Sequence, residues 1–155
     1  MLGVDPVVQK NFTSCSSEVG RGFIRTLDAY RPTQHYVAAL LERGVKALIY
    51  VGKNDWICNH VGNERWTLDL EWTKHDEFSS QPLREWIVDG KAAGMTRSAG
   101  GLTFATIEGA GHMVPFFADL CGPFVDRKSS FSQVPYDKPK ESLELVNRWL
   151  SGKDL

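Results

Sequence analysis

The sequence has no marked excess of charge of either sign, few cysteines and no long apolar run. Its 155 residues carry 18 Lys and Arg against 19 Asp and Glu, so the formal net charge is −1. This balance argues against nucleic-acid and anionic-membrane partners, because both favour a basic excess. The longest apolar run, at residues 45–51, is the length of a strand and far shorter than the ~18 residues of a membrane span. The first residues also lack the basic start and the apolar stretch of a signal peptide.

The cysteines are too few and too scattered to predict a metal site. Cys15, Cys58 and Cys121 form no CxxC pair, and no histidine lies at a zinc-like spacing. We therefore expect neither a metal nor another cofactor. An odd number of cysteines cannot close entirely into internal disulfides. Asn11 begins an Asn-Phe-Thr sequon, which would be glycosylated only if the chain entered the secretory route.

Apolar periodicity predicts alternating helices and strands, which is the pattern of an α/β domain. Residues 1–30 show no sustained period and are interpreted as loop with short elements. One helix is expected to begin at residue 80, because Leu83, Trp86 and Ile87 would then share one face. The strand at 45–51 is expected to be buried on both faces, and all five tryptophans are interpreted as core residues. The other predicted elements are helices near 31–44, 62–70 and 141–150 and a hairpin of strands 91–97 and 102–107.

Two polar residues, Asp55 and His112, stand just beyond the ends of predicted strands. Asp55 follows the strand at 45–51, and His112 follows the strand at 102–107 inside a Gly-x-Gly-His turn. In open α/β sheets, catalytic groups gather at the carboxyl ends of strands. An acid and then a histidine on successive loops is the chain order of the α/β-hydrolase triad, Ser, Asp, His. A lone Asp after a strand is more often a turn or capping residue, so position alone leaves both interpretations open.

Several segments together resemble the serine carboxypeptidases. Residues 47–66 are similar to the acid-bearing segment of that family, residues 111–115 to its histidine turn, residues 11–15 to its upstream cysteine segment and residues 134–150 to its C-terminal end. The resemblance is greatest to fungal vacuolar members. It implies the C-terminal part of an α/β-hydrolase fold, with a mixed, mostly parallel sheet flanked by helices. It also implies an enzyme that removes C-terminal amino acids from peptides through an acyl-enzyme.

The same resemblance implies roles for individual residues. His112 would be the general base and then the general acid, and Asp55 would orient it. Cys15 would form a disulfide with a partner far upstream. The resemblance also implies that the full-length protein takes the secretory route, either to a vacuole-like or lysosome-like compartment or to the outside of the cell. The positions that would line the substrate pockets beside the scissile bond are Ile57, Cys58 and Met113.

Two departures from the family stand out. No Gly-x-Ser-x-Gly nucleophile elbow occurs in the 155 residues, so we expect a C-terminal fragment that lacks its N-terminal part and is inactive alone. A separately made small chain of a two-chain enzyme is the alternative, and Met1 in mid-pattern favours truncation. The second departure is residues 114–133, a segment that begins with Val-Pro-Phe and is followed directly by a near-duplicate Val-Pro-Tyr at 134–136. This segment is interpreted as a retained intron or, alternatively, as a genuine loop insertion.

A shared scaffold does not dictate the reaction. An acyltransferase or a hydroxynitrile lyase of the same descent is therefore a rival prediction within the enzymes. A non-catalytic remnant is the rival outside them. An upstream Gly-Glu-Ser-Tyr elbow with carboxylate-binding residues would favour the peptidase.

Overall fold

The computed structural model describes residues 16–112 and 134–155, which belong to two units. In the first unit, residues 16–32 form helix α1 (Ser17–Arg25) and a 3₁₀ turn (Asp28–Tyr30). The Ser16 hydroxyl accepts a hydrogen bond from the Val19 N–H at 3.4 Å and so caps α1. Over the described part of residues 1–30, the expectation of short elements is confirmed.

The second unit alternates helices and strands. The predicted elements near 31–44, 45–51, 62–70 and 141–150 and the hairpin are confirmed to within a few residues, but the helix predicted from residue 80 is wrong. The elements in chain order are α2 (Gln34–Glu42), β1 (Ala47–Gly52), α3 (His60–Leu68), α4 (His75–Ser79), β2 (Arg84–Val88), β3 (Lys91–Ala99), β4 (Leu102–Ile107), α5 (Val134–Asp137) and α6 (Pro139–Leu150).

The four strands form one mixed sheet in the order β1-β4-β3-β2. Strands β1 and β4 are parallel, with Ala47 opposite Leu102 and Gly52 opposite Ile107. The other two pairings, β2 with β3 and β3 with β4, are antiparallel. The expectation of a mostly parallel sheet is therefore wrong for the described strands. The reason is that two-residue turns join β2 to β3 and β3 to β4, and such turns connect only antiparallel neighbours.

Strand β2 replaces the helix that was predicted from residue 80. Trp86 and Val88 are buried while the residues between and before them are exposed, which is the alternation of a strand. Asp89 and Gly90 have φ of 49° and 74°, so both lie in the left-handed region that a tight two-residue hairpin turn requires. The local Asp-Gly turn therefore overrides the helical spacing of the apolar residues before it.

Both faces of the sheet are covered by apolar side chains. Helix α6 contributes Leu145 to one buried cluster, and the segment 41–78 contributes most of the other. Strand β4 contributes Ala105 and Ile107 to the first cluster and Leu102 and Phe104 to the second, and every residue of that strand is buried. The first cluster is Trp86, Val88, Ala93, Ala105, Ile107, Ala110 and Leu145, and the second is Leu41, Val51, Leu70, Trp72, Phe78, Leu102 and Phe104.

Two expectations about burial need correction. Strand β1 is not buried on both faces, because it is an edge of the described sheet and Tyr50 is 43% exposed. The tryptophans are not all core residues, because Trp56 is 85% exposed, whereas Trp72 and Trp86 are buried. Among residues 16–112 and 134–155, no helix is both long and apolar enough to cross a membrane.

Candidate functional site

The parallel pairing of β1 with β4 brings two loops together at the carboxyl ends of these strands. Both strands end at the same level, so the residues after Gly52 and after Ile107 leave the sheet side by side. The Lys53 N–H donates a hydrogen bond to the Ile107 carbonyl at 3.0 Å, and the Asn54 N–H donates one to the Ala110 carbonyl at 2.9 Å. Backbone hydrogen bonds thus join the two loops at residues that precede Asp55 in one loop and His112 in the other.

Asp55 and His112 are in direct contact beyond these strand ends. The distance from His112 Nδ1 to Asp55 Oδ2 is 2.6 Å, which is short enough for a charge-assisted hydrogen bond. The Asp55 side chain is 4% exposed, and the His112 side chain is 34% exposed. A carboxylate only accepts, so Nδ1 carries the proton, and Nε2 is the ring nitrogen that can take one up.

The second oxygen of Asp55 is held by the loop that bears it. Asp55 Oδ1 accepts a hydrogen bond from the Cys58 N–H at 2.8 Å, and the Asp55 N–H donates to the Gly52 carbonyl at 3.1 Å. Both carboxylate oxygens therefore have partners although the residue is buried, as a buried charge requires. This fixed carboxylate can hold the His112 ring in one orientation.

Gly52 allows the two loops to approach this closely. A Cβ at this position would lie 2.4 Å from the Ala110 carbonyl oxygen and 2.7 Å from the Gly111 carbonyl oxygen. Both are backbone atoms, which cannot swing aside as a flexible side chain can. Glycine at the end of β1 is therefore a geometric requirement for the contact between Asp55 and His112.

Cys58 lies beside this pair and is a free, exposed cysteine. The partial loss of water around its sulfur, together with the nearby charge of Asp55, raises the pKa of the thiol above its ordinary value. One ligand atom each of Asp55, Cys58 and His112 lies within 4.8 Å of the others, a grouping that sequence spacing did not predict. Since Asp55 already holds two hydrogen bonds and the raised pKa keeps the thiol protonated, these residues suit acid–base chemistry better than metal binding.

The structure places only some of the remaining predicted site residues. Ile57 is 63% exposed, on the same loop as Asp55 and Cys58. The predicted pocket residue Met113, the predicted disulfide residue Cys15 and the predicted glycosylation residue Asn11 lie outside the described residues. So does the predicted insertion, residues 114–133, with Cys121.

One residue at the site was not singled out from the sequence. Asp137 Oδ2 accepts a hydrogen bond from the N–H of Gly111, the residue before His112, at 3.0 Å. The sequence gives only an indirect indication of this contact, because Asp137 would follow His112 closely in a chain without residues 114–133.

Comparisons with known proteins identify the family to which the chain is similar. Residues 1–119 match the serine carboxypeptidase family. The vacuolar serine-type carboxypeptidase ATG42 of Saccharomyces cerevisiae is 37% identical over 144 residues, which are 92% of this chain and 24% of that protein. Carboxypeptidase Y of Komagataella phaffii is 35% identical over 141 residues, 91% of this chain and 23% of that protein.

A solved structure shows a weaker similarity. It is the crystal structure of Kex1Δp, a prohormone-processing carboxypeptidase from Saccharomyces cerevisiae, with 27% identity and a TM-score of 0.46 over 57% of this chain and 20% of that one. The chain spans about a quarter of the length of the curated relatives it matches. With the family match over residues 1–119, we conclude that the chain belongs to the serine carboxypeptidase family.

Proposed function

We propose that this chain is the Asp- and His-bearing part of a serine-type carboxypeptidase, which releases C-terminal amino acids from peptides through an acyl-enzyme. The observation that carries the proposal is the 2.6 Å contact between His112 Nδ1 and Asp55 Oδ2. A buried carboxylate on Nδ1 leaves Nε2 as the nitrogen that exchanges protons, which is the arrangement that a serine nucleophile needs. Family membership supports the identity of the reaction.

In this proposal the serine comes from an N-terminal part that the 155 residues do not contain. Its hydroxyl oxygen attacks the carbonyl carbon of the last peptide bond, and its proton passes to Nε2 of His112. The C–N bond then breaks as Nε2 gives that proton to the leaving amine. Nε2 next takes a proton from water as the water oxygen attacks the carbonyl carbon of the acyl-enzyme ester. The C–O bond to the serine then breaks as Nε2 returns that proton to the serine oxygen, which releases the free acid. Asp55 stays ionised throughout and stabilises the positively charged ring.

The N-terminal part would pack against strand β1 and helix α6. Strand β1 is an edge of the described sheet, and parallel strands are normally paired and covered on both sides. Tyr50 on β1 and Leu143 on α6 are 43% and 63% exposed. They line a largely apolar cavity of about 420 Å³, together with Pro135, Pro139, Ser142 and Val146. This apolar surface is typical of one that is buried in a hydrophobic core, and in this proposal the N-terminal part of the same fold buries it.

The substrate in this proposal is the C-terminal end of a peptide, bound beside the Asp55–His112 pair. Ile57 and Cys58 are exposed on the loop that carries Asp55, and with Met113 they would line the pocket walls. A vacuolar relative supports a secretory route for the full-length protein. On that route Asn11 would be glycosylated and Cys15 would pair with an upstream cysteine.

The test is a complementation assay with a blocked dipeptide. The chain is assayed alone and then fused to the serine-bearing N-terminal part of the Komagataella phaffii relative, with residues 114–133 kept or deleted. We expect no turnover by the chain alone and turnover by the fusion without 114–133. The variant His112→Ala should abolish that turnover, whereas His35→Ala, at an exposed histidine on α2, should leave it unchanged.

Other outcomes would contradict the proposal in distinct ways. Turnover by the chain alone that disappears with His112→Ala would show that no upstream serine is needed. A folded fusion that transfers acyl groups but does not hydrolyse peptides would favour an acyltransferase. A folded fusion with no activity at all would favour a non-catalytic remnant.

A further inference from the structure

We propose that Asp137 is a positioning residue for His112, an inference that rests on the proposed function because it takes its meaning from the role given to His112. Asp137 is the last residue of α5, and Gly111 directly precedes His112. The carboxylate oxygen Oδ2 accepts a hydrogen bond from the Gly111 N–H at 3.0 Å. Asp137 therefore contacts the backbone of the histidine turn and acts on the reaction only through it.

The Gly111 amide needs this partner because the turn buries it. Gly111 is buried, and a buried N–H without an acceptor is strongly unfavourable. The neighbouring carbonyl of Ala110 is already used by the Asn54 N–H at 2.9 Å. The peptide plane between Ala110 and Gly111 is thus held at both ends, by the Asn54 N–H at its carbonyl and by the Asp137 carboxylate at its N–H. A charged acceptor holds such an N–H more strongly than a neutral one.

This peptide plane decides where the His112 ring lies. Gly111 has no side chain to restrict its backbone, so the turn depends on its hydrogen bonds for a single conformation. The ring must reach Asp55 Oδ2 at 2.6 Å and at the same time present Nε2 to the serine. A displacement of ~1 Å at a reacting group can lower the rate about a hundredfold.

The contact also joins two distant parts of the chain. Gly111 and Asp137 are 26 residues apart in sequence, and residues 114–133 lie between them. The next residue, Lys138, packs on the same turn, since its Cε would lie 3.3 Å from a Cβ placed on Gly109. The start of the C-terminal helical segment therefore contacts the histidine turn through the side chains of Asp137 and Lys138.

The test uses NMR spectroscopy of the full 155-residue chain. Two signals are followed: the downfield proton that His112 Nδ1 shares with Asp55, and hydrogen exchange at the Gly111 amide, taken relative to the Phe104 amide in β4. In Asp137→Ala we expect the Nδ1 proton signal to broaden or vanish and the Gly111 amide to exchange at least tenfold faster relative to Phe104. The control Asp154→Ala removes a carboxylate that pairs with Arg84 and should change neither signal.

The outcomes separate this inference from the proposed function. An Nδ1 proton signal and a Gly111 exchange rate that Asp137→Ala leaves unchanged would overturn the positioning role. If Asp137→Ala does not fold, Asp137→Asn decides: its neutral carboxamide accepts more weakly, so Gly111 must exchange faster than in the parent, and equal exchange overturns the inference. A parent chain without the Nδ1 signal would count against the proposed Asp55–His112 pair, while Gly111 exchange would still test the Asp137 contact.

Discussion

Replacing Gly52 by alanine tests the close approach on which the candidate site depends. The added Cβ would lie 2.4 Å from the Ala110 carbonyl oxygen, so the two loops must separate. Separation weakens the hydrogen bonds from the Lys53 and Asn54 amides, each worth about 0.5–1.5 kcal/mol. Overpacking of a close-packed region adds about 1–3 kcal/mol. We therefore expect Gly52→Ala to lower the free energy of unfolding by about 2–6 kcal/mol.

The assay is urea unfolding followed by tryptophan fluorescence, with Gly62→Ala as the matched control. Gly62 is a glycine of helix α3, where a Cβ would meet nothing closer than 3.4 Å. The control variant should be as stable as the parent or slightly more stable, because alanine favours helix more than glycine does. Equal unfolding midpoints for Gly52→Ala and the parent would refute the argument that backbone atoms of the second loop occupy this space.

Three further predictions concern single side chains. The pKa of His75 is raised first by its hydrogen bond to Asp76 and then by the Leu68 carbonyl; its ring protons should titrate above about pH 6.5, and Asp76→Asn should lower that midpoint. The stabilisation from the charged ring is then present below about pH 6.5 and lost as the pH rises through the folded-state pKa. Because the pKa of Cys58 is raised by burial and by Asp55, Asp55→Asn should speed alkylation of Cys58 at mildly alkaline pH, read by mass mapping; an unchanged rate would contradict that cause. Trp86→Ala should lower the free energy of unfolding by about 3–5 kcal/mol, whereas Trp56→Ala should change it by less than about 0.5 kcal/mol; equal losses in urea unfolding would contradict the observed burial.

Elements with a sustained apolar pattern could be predicted from the sequence, and an element governed by its turn could not. Strand β4 and helix α6 each carry a clear period and were predicted correctly. The prediction of a helix where β2 lies is wrong because the spacing of Leu83, Trp86 and Ile87 also fits a helix. What decides its structure is the two-residue turn after it and the hydrogen bond from Trp86 Nε1 to the Thr106 carbonyl, which is a long-range contact.

The candidate site shows the same division. Asp55 and His112 could be predicted as site residues because the order of residues along the chain shows both their positions after strands and the family resemblance. Their 2.6 Å contact depends on β1 pairing with β4, whose partner residues are 55 positions apart in the sequence. The hydrogen bond between Asp137 and the Gly111 N–H joins residues on either side of 114–133, so no local sequence pattern predicts it. Trp56 was misassigned because a tryptophan beside a strand end is compatible with either burial or exposure.

We propose that Asp55 orients His112 for catalysis, and the most direct test is the kcat of the complemented enzyme with Asp55→Asn. The substitution keeps the shape of the side chain but removes its charge and can hold the ring in the wrong tautomer. Loss of the corresponding carboxylate in a serine protease lowers kcat by ~10⁴, and we expect a decrease of that order here. A decrease of less than about tenfold, equivalent to about 1.4 kcal/mol, would contradict the account and leave Asp55 as a structural cap of its loop.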